Sequence, residues 1–456
     1  MDRLTEAGVW RTGPLWSASD RPLARWVARP LATFLRVEAA GGLVLVVATV
    51  VAVAWANSPW RFSYEALWNA EVAVRVGPFA LAGDLQHWVN DALMAVFFFT
   101  AALEIKWQLA VGELRSPRAA AVPVLAAAGG MAVPALIYFL LNRGGPAVDG
   151  WGIPMATDIA FAVGVLTLLG SRVPVGARIF LLTLAIADDI GAIVVIAVHY
   201  ASELSGVWLA TSLALVVVLA ALRRLRVWAI PVYLTLGLAL WLAVYSSGVH
   251  PTVAGVVLGL LAPARPLLDP HLAWQKLDSV AGDFTVEDLR RCQFLLGESV
   301  SVAERLVRSL HPWSSYVILP LFALANAGIF LGGGAFGAAL ESRVTLSVVL
   351  ALVLGKVVGV TGATWLATRL GIGTLPRGTS WPVILGVSGL AGIGFTVSIF
   401  ITGLAFGGET VTAVEAKVGV LVASVVAAVL GSAVLLVATR RQPPVSSAAA
   451  RGLTRR

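Results

Sequence analysis

Apolar residues in this chain gather in long runs with few polar interruptions. The runs fall near 39–56, 86–111, 119–141, 156–169, 179–199, 204–222, 227–246, 249–262, 314–332, 344–368, 382–406 and 415–438. A helix needs about 20 such residues to cross a bilayer. The pattern therefore predicts an all-α polytopic membrane protein with about twelve transmembrane helices. Two runs, 156–169 and 249–262, are shorter than the roughly 17–25 residues expected of a span. One long polar segment, 263–313, separates the runs; from Thr285 on it has helical spacing and mixed charge. It reads as a cytoplasmic connector rather than a folded domain. The plan is an N-terminal segment 1–38, a membrane domain 39–438 and a tail 439–456. The tail is rich in Arg, Pro, Ser and Ala, a composition expected to stay disordered.

Two stretches are interrupted inside. GIPMATDIAFAVGVLTLLG (152–170) carries Gly, Pro, Thr and Asp within a short apolar run. GVSGLAGIGFTVSIFITGLAFG (386–407) is glycine-rich, with Gly392, Gly394, Thr396 and Ser398 near its middle. Glycine costs about 1 kcal/mol against alanine in a helix, so neither is a good continuous helix. Each lies in the middle of a three-span group, 119–199 and 344–438. Interrupted helices at corresponding places in two halves point to a transport site. Where a helix breaks inside a membrane, its freed N–H and C=O groups need water or an ion.

Composition agrees: 58% of residues are hydrophobic and 13% charged, against about 25% charged in soluble domains. The net charge of +8 is then a matter of topology rather than of nucleic-acid binding. With twelve spans, 26 of the 33 Lys and Arg fall on the side of the termini, four on the other, and three in or beside spans. By the positive-inside rule both termini are cytoplasmic. Ala54-Trp55-Ala56 imitates a signal cleavage site, but 38 largely polar and basic residues precede its run, so a retained span is expected. The single cysteine, Cys292, excludes an internal disulfide and a multi-thiolate metal site.

The chemistry centres on RIFLLTLAIADDIGAIVVIAVHY (178–200), where Asp188 and Asp189 sit at the middle of a span. One charge at the bilayer centre costs at least about 2.5–3.5 kcal/mol. Successive helical residues lie about 100° apart, so the two carboxylates face different surroundings. Either they are a neutral or salt-bridged structural pair, or they bind a cation or protons. Oxygen ligands suit a hard cation, and competition between H⁺ and a cation for one carboxylate would couple the two fluxes. Lys356 lies mid-span in a chain with only four lysines. It reads as a fixed counter-ion, as a group that gives up its proton, which Arg does not do, or as both; a third reading is a retinal-type Schiff base. Thr157 and Asp158 lie in the first interrupted stretch. A carboxylate suits a half-helix N-terminus and a lysine a C-terminus, so Asp158 and Lys356 are candidates to offset half-helix ends. Asp91 starts its span, and Glu104 lies near the cytoplasmic end of the same span, where it reads as an interfacial pair with Lys106. His250 is a structural or a pH-responsive histidine. Gly255 and Gly259 form a GxxxG of helix packing.

The stretches LAIADDIGAIVVIA, ATDIAFAVGVLTLLGSRVP, NDALMAVFFF, PLFALANAGI, SGVHPTVAGVVLG and GIGFTVSIFI together resemble the NhaA family of sodium/proton antiporters, over roughly 36–440. The resemblance implies a twelve-helix fold of inverted repeats with two crossing interrupted helices. It implies electrogenic exchange of cytoplasmic Na⁺ or Li⁺ for external H⁺ across a bacterial inner membrane, with no cofactor. Asp189 matches the main ion-binding carboxylate, and Asp188 the neighbour that pairs with the lysine matching Lys356. Thr157 and Asp158 match interrupted-helix residues beside the site; Glu104 and His250 match positions tied to pH response. A β-hairpin within 57–84 is where such proteins form dimers. One departure stands just before LHPW, where the family's acidic and histidine residues are Val307 and Arg308. Two other readings use the same residues: an intramembrane aspartyl protease, which needs two carboxylates sharing a proton, and a symporter of an organic anion. No phosphate-binding GxxxxGK(S/T) loop occurs, so no nucleotide is expected.

Overall fold

The computed structural model describes residues 39–76, 79–201, 204–225, 230–266, 268–269, 285–332, 334–376, 378–407 and 410–440. The segment 1–38, nearly all of the tail and residues 270–284 of the connector lie outside the described residues.

The chain opens with α1 (Ala39–Ala56), which turns through 114° into the short α2 (Arg61–Trp68). Strands β1 (Glu71–Val76) and β2 (Phe79–Asp84) then form an antiparallel hairpin, with Glu71 opposite Asp84 and Val76 opposite Phe79. The hairpin falls within 57–84, as the resemblance implies. Asp84 ends β2 and starts α3 (Leu85–Ala110), accepting the His87 backbone N–H at 2.6 Å. This is the N-cap arrangement that Asp favours. The Trp88 indole donates to Val72 O at 2.9 Å and so pins the hairpin to α3.

The first three-span group is α4 (Pro117–Asn142), an interrupted segment and α6 (Val175–His199). The interrupted segment is a tight helical run, Val148–Met155, then α5 (Ile159–Leu168). Next come α7 (Gly206–Arg224), α8 (Ile230–Ser246), α9 (Thr252–Leu261), α10 (Val286–Glu298) and α11 (Val302–Trp313). A wide π turn, Ser314–Ile318, carries α11 into α12 (Leu319–Asn326), and α13 (Ala335–Glu341) follows. The second group is α14 (Arg343–Arg369), the bent pair α15 (Trp381–Leu390) and α16 (Phe395–Phe406) at 47°, and α17 (Val411–Thr439).

Every predicted apolar run contains a helix. Among the described residues, seven helices are long and apolar enough to cross a membrane, or nine if each bent pair is one span. The shortfall against twelve lies in three runs. The run at 249–262 yields a helix of 10 residues, and α8 has 17. The run at 314–332 leaves helix at Asn326, well short of its predicted end.

The two groups are built alike: α4 packs on α6 in the first, and α14 on α17 in the second. They join where α4 crosses α14. A Cβ on Gly129 would meet Gly359 O at 2.5 Å, and one on Gly355 would meet Pro134 Cα at 2.9 Å. Lipid tails are as apolar as the side chains, so association rests on close backbone packing of this kind. The GxxxG works the same way: a Cβ on Gly259 would sit 2.7 Å from Phe99 O, bringing α9 against α3.

The C-terminal end of the segment 263–313 is helical and packed. Leu306, Val307 and Leu310 of α11 pack on Phe99, Leu103 and Ala110 of α3. This half of 263–313 is part of the helical body. Val307 takes its place in that apolar contact, while the exposed Arg308 pairs with Glu304 at 2.9 Å.

Candidate functional site

The two interrupted segments cross, and each completes the other's backbone. In the first, Ala156 and Asp158 adopt extended dihedrals between Val148–Met155 and α5. In the second, α15 gives way to α16 across Ala391–Gly394. Thr157 Oγ1 donates to Ala391 O at 2.8 Å, and the Asp158 N–H donates to Ile393 O at 2.7 Å. In return, Ser398 Oγ donates to Ile153 O at 2.7 Å. Backbone groups freed by the breaks are thus satisfied within the protein, as a membrane interior requires.

Asp158 caps both half-helices. Its Oδ1 accepts the Phe161 N–H of α5 at 3.0 Å. Its Oδ2 accepts the Thr396 N–H of α16 at 3.1 Å and the Thr396 hydroxyl at 2.6 Å. One carboxylate therefore meets two helix N-termini, where the dipoles favour negative charge.

Lys356 lies at the opposite end of the first segment. Its ammonium donates to Met155 O at 2.5 Å, to Thr157 Oγ1 at 3.1 Å and to Asp188 Oδ2 at 2.7 Å. Three acceptors match the three N–H bonds of a charged lysine. Lys356 and Asp188 are both 0% exposed. Thr157 Oγ1 stands 2.7 Å from Asp188 Oδ2, so its proton is shared between that oxygen and Ala391 O. The second oxygen of Asp188, Oδ1, is buried with no hydrogen-bond partner. With a lysine rather than a carboxylate beside it, Asp188 lacks the shared-proton geometry of an aspartyl protease.

Asp189 points elsewhere, as the 100° step predicts. It is 5% exposed, and among the described residues no side chain or backbone group bonds its carboxylate. It lines a cavity of about 470 Å³ together with Thr157, Asp158, Thr396, Thr100 and Glu104. The cavity runs on to Gly41 at the start of α1 and to His311 and Tyr316 near the end of α11. Glu104 belongs to this cavity, which corrects its reading as a partner of Lys106. Residues i and i+2 do not share a helix face, and His311 lines the same cavity as Glu104. His311 escaped the sequence reading because its segment looked like connector.

Asp91 and His250 lie away from this cavity, at the other end of α3. Asp91 is buried; its carboxylate lies 3.1 Å from His87 Nε2 and 3.5 Å from His250 Nε2. The His250 ring packs edge-on against Phe400 of α16, with centroids 5.1 Å apart. Gly392 and Gly394 stand at the second break with negative φ, Gly394 at −96°. They serve closeness rather than left-handed turns: a Cβ on Gly392 would lie 2.5 Å from Leu352 O. The backbone acceptors Met155 O, Ile153 O, Ala391 O and Ile393 O could not be assigned from residue types.

Comparison with known proteins shows the family. The model of the family described as Na+/H+ antiporter 1 matches residues 32–435. The Na(+)/H(+) antiporter NhaA of Rhodopirellula baltica is 46% identical over 426 residues, covering 91% of this chain and 95% of the relative. The NhaA of Anaeromyxobacter sp. is 47% identical over 439 residues, covering 93% and 94%. That of Rhizobium meliloti is 44% identical over 433 residues, covering 93% and 98%. With matches of this extent over the helices that build the crossed breaks, the chain belongs to the Na+/H+ antiporter 1 family, that of the NhaA proteins.

Proposed function

We propose that this protein is a secondary, electrogenic Na⁺(Li⁺)/H⁺ antiporter of the bacterial inner membrane, serving pH and sodium homeostasis. It exports cytoplasmic sodium for external protons by alternating access. The observation that carries this reading is Asp189: a buried carboxylate with no bonded partner among the described residues, lining the cavity. A lone carboxylate in such a place costs too much unless a proton or a cation neutralises it.

In this mechanism Na⁺ enters along Glu104 and displaces a proton from Asp189. Asp188 can offer its Oδ2 to the ion only by releasing Lys356, which then stands charged and buried. A lysine so placed gives up its proton, which an arginine would not do. A proton from each of Asp189 and Lys356 thus leaves against one Na⁺, and net charge moves. Asp158 and Lys356 hold the half-helix ends, Thr157, Gly392, Gly394 and Thr396 support the crossing, and Asp91 supports the far end of α3. Glu104 and His250 contribute to pH response. Both termini are cytoplasmic by the positive-inside rule, so the cavity faces the cytoplasm. The hairpin 71–84 is the surface through which two copies join.

The test is pH-dye dequenching in everted vesicles with Na⁺, Li⁺ or K⁺ added at pH values on both sides of neutrality, about 6.5 to 8.5. Na⁺ and Li⁺ should dequench, and Asp189→Asn should abolish the response. Silence at every pH would overturn the reading and turn attention to organic-anion uptake. Lys356→Arg separates the two roles of the lysine: exchange retained without charge movement supports proton carriage. Unchanged charge movement counts against it. Removal of residues 71–84 should convert dimers to monomers in native mass measurements.

A further inference from the structure

We propose that Trp151 and His199 form a proton-sensitive latch that positions the carbonyl-bearing run Val148–Met155 against the aspartate helix. His199 is the last residue of α6, ten residues beyond Asp189. At a rise of 1.5 Å per residue it stands about 15 Å from that carboxylate along the axis. Trp151 lies in the run whose Ile153 O takes Ser398 and whose Met155 O takes Lys356. The Trp151 indole nitrogen lies 3.0 Å from His199 Nε2, and the two rings are 4.9 Å apart. An indole N–H only donates, so His199 Nε2 must accept, with its proton on Nδ1. An imidazolium carries N–H on both nitrogens and has no acceptor left. Protonation of His199 therefore turns this hydrogen bond into two N–H groups facing each other.

The surroundings leave His199 the variable member. It is exposed, so protons reach it from the hairpin side of the protein. Tyr200 packs edge-on against it and donates to Asp149 O at 2.8 Å. Tyr138 of α4 donates to Ala147 O at 3.0 Å. Tyr200, Asp149, Tyr138 and, from α17, Glu415 are the titratable groups around this end of the run, and neither tyrosine contact changes between pH 5 and 8, where imidazoles change charge. A Cβ on Gly152 would meet Tyr200 Oη at 2.7 Å, so the run is held close to the end of α6. Acid on the hairpin side releases the Trp151–His199 hydrogen bond at this junction and loosens the segment that ends at Met155 O. Trp151 and His199 are positioning residues; neither touches the ion site.

The consequence for transport rests on the antiport reading above; the latch itself does not, and amide hydrogen exchange reads it directly. Wild type, His199→Gln and Trp151→Phe would be compared in lipid nanodiscs at pH 7.5 and 5.5. The glutamine oxygen accepts from the indole without titrating. At pH 5.5, wild-type protection over residues 150–155 should fall about three- to tenfold below that of His199→Gln, the weight of one hydrogen bond. At pH 7.5 the two should agree, and Trp151→Phe should be low at both. Equal protection in wild type and His199→Gln at pH 5.5, or a wild-type pH response in Trp151→Phe, would overturn the latch. In proteoliposomes acidified on the hairpin side, wild-type exchange should drop by a like factor relative to His199→Gln. Identical acid profiles would overturn the positioning role. A wild type that never exchanges Na⁺ would instead sink the antiport reading, with the hydrogen-exchange result still deciding the latch.

Discussion

The two breaks meet at one crossing but solve their problem with opposite materials. The first, Met155–Asp158, supplies reactive side chains: Thr157 and Asp158 bond the second break, and Met155 O holds Lys356. The second, Ala391–Gly394, supplies no charge at all; it contributes carbonyls, an N-terminus and space. One aspartate serves the N-termini of both half-helices, so only one break needs an acid. Two symmetric acids here would leave one uncompensated. The asymmetry concentrates charge on the side of the crossing that faces Asp188 and leaves the other side free to pack closely.

Lys356→Ala attacks the charged half most strongly. It strands Asp188 and Met155 O with no donor from the lysine, and removing one partner of a buried ion pair costs about 3–5 kcal/mol. The thermal midpoint in detergent should fall further than for any variant below. Asp158→Ala removes the cap of both half-helices. At about 0.5–2 kcal/mol per N-cap lost, it should lower the midpoint nearly as far. Asp158→Asn, which keeps acceptor geometry at one oxygen, should recover part of the loss.

Gly392→Ala attacks the uncharged half through space. The added methyl would press on Leu352 O and on Ala427 Cβ at 3.1 Å, an overpacking worth about 1–3 kcal/mol. If closeness is what the second break provides, this variant should lose stability with no change in ion preference. The smallest expected effect is Thr396→Val, which deletes the hydroxyl bond to Asp158 but keeps the backbone N–H at 3.1 Å. It should cost about 1 kcal/mol. A loss as large as that of Asp158→Ala would mean that the hydroxyl, not the helix end, carries the contact.

Much of this was legible beforehand, and the reasons differ by residue. Long apolar runs mark helices in lipid, since only a self-satisfied backbone survives there, so each predicted run meets a helix. Adjacent carboxylates mid-run stand out by cost alone. The α11 contact was not legible, because its mixed charge hides a narrow apolar face, Leu306, Val307 and Leu310, that only α3 reveals. Nor was the use of Gly392: the residue type signals a broken helix, whereas its φ is ordinary and its neighbour Leu352 O is what excludes a side chain.

By itself the sequence determined that this chain is a bundle of membrane helices with two interrupted segments and a mid-span Asp188-Asp189 pair. Periodicity, hydropathy and charge cost act locally and need no partner to be read. Residue types and spacing left open which aspartate is bound and which faces the cavity; the resemblance implied an answer, and the contacts themselves exist only in the tertiary structure. That choice depends on Lys356, 168 positions further along the chain, and on two breaks brought together from opposite halves of the fold. Contacts between residues so distant in sequence leave no period or spacing behind; they exist only once the helices have crossed.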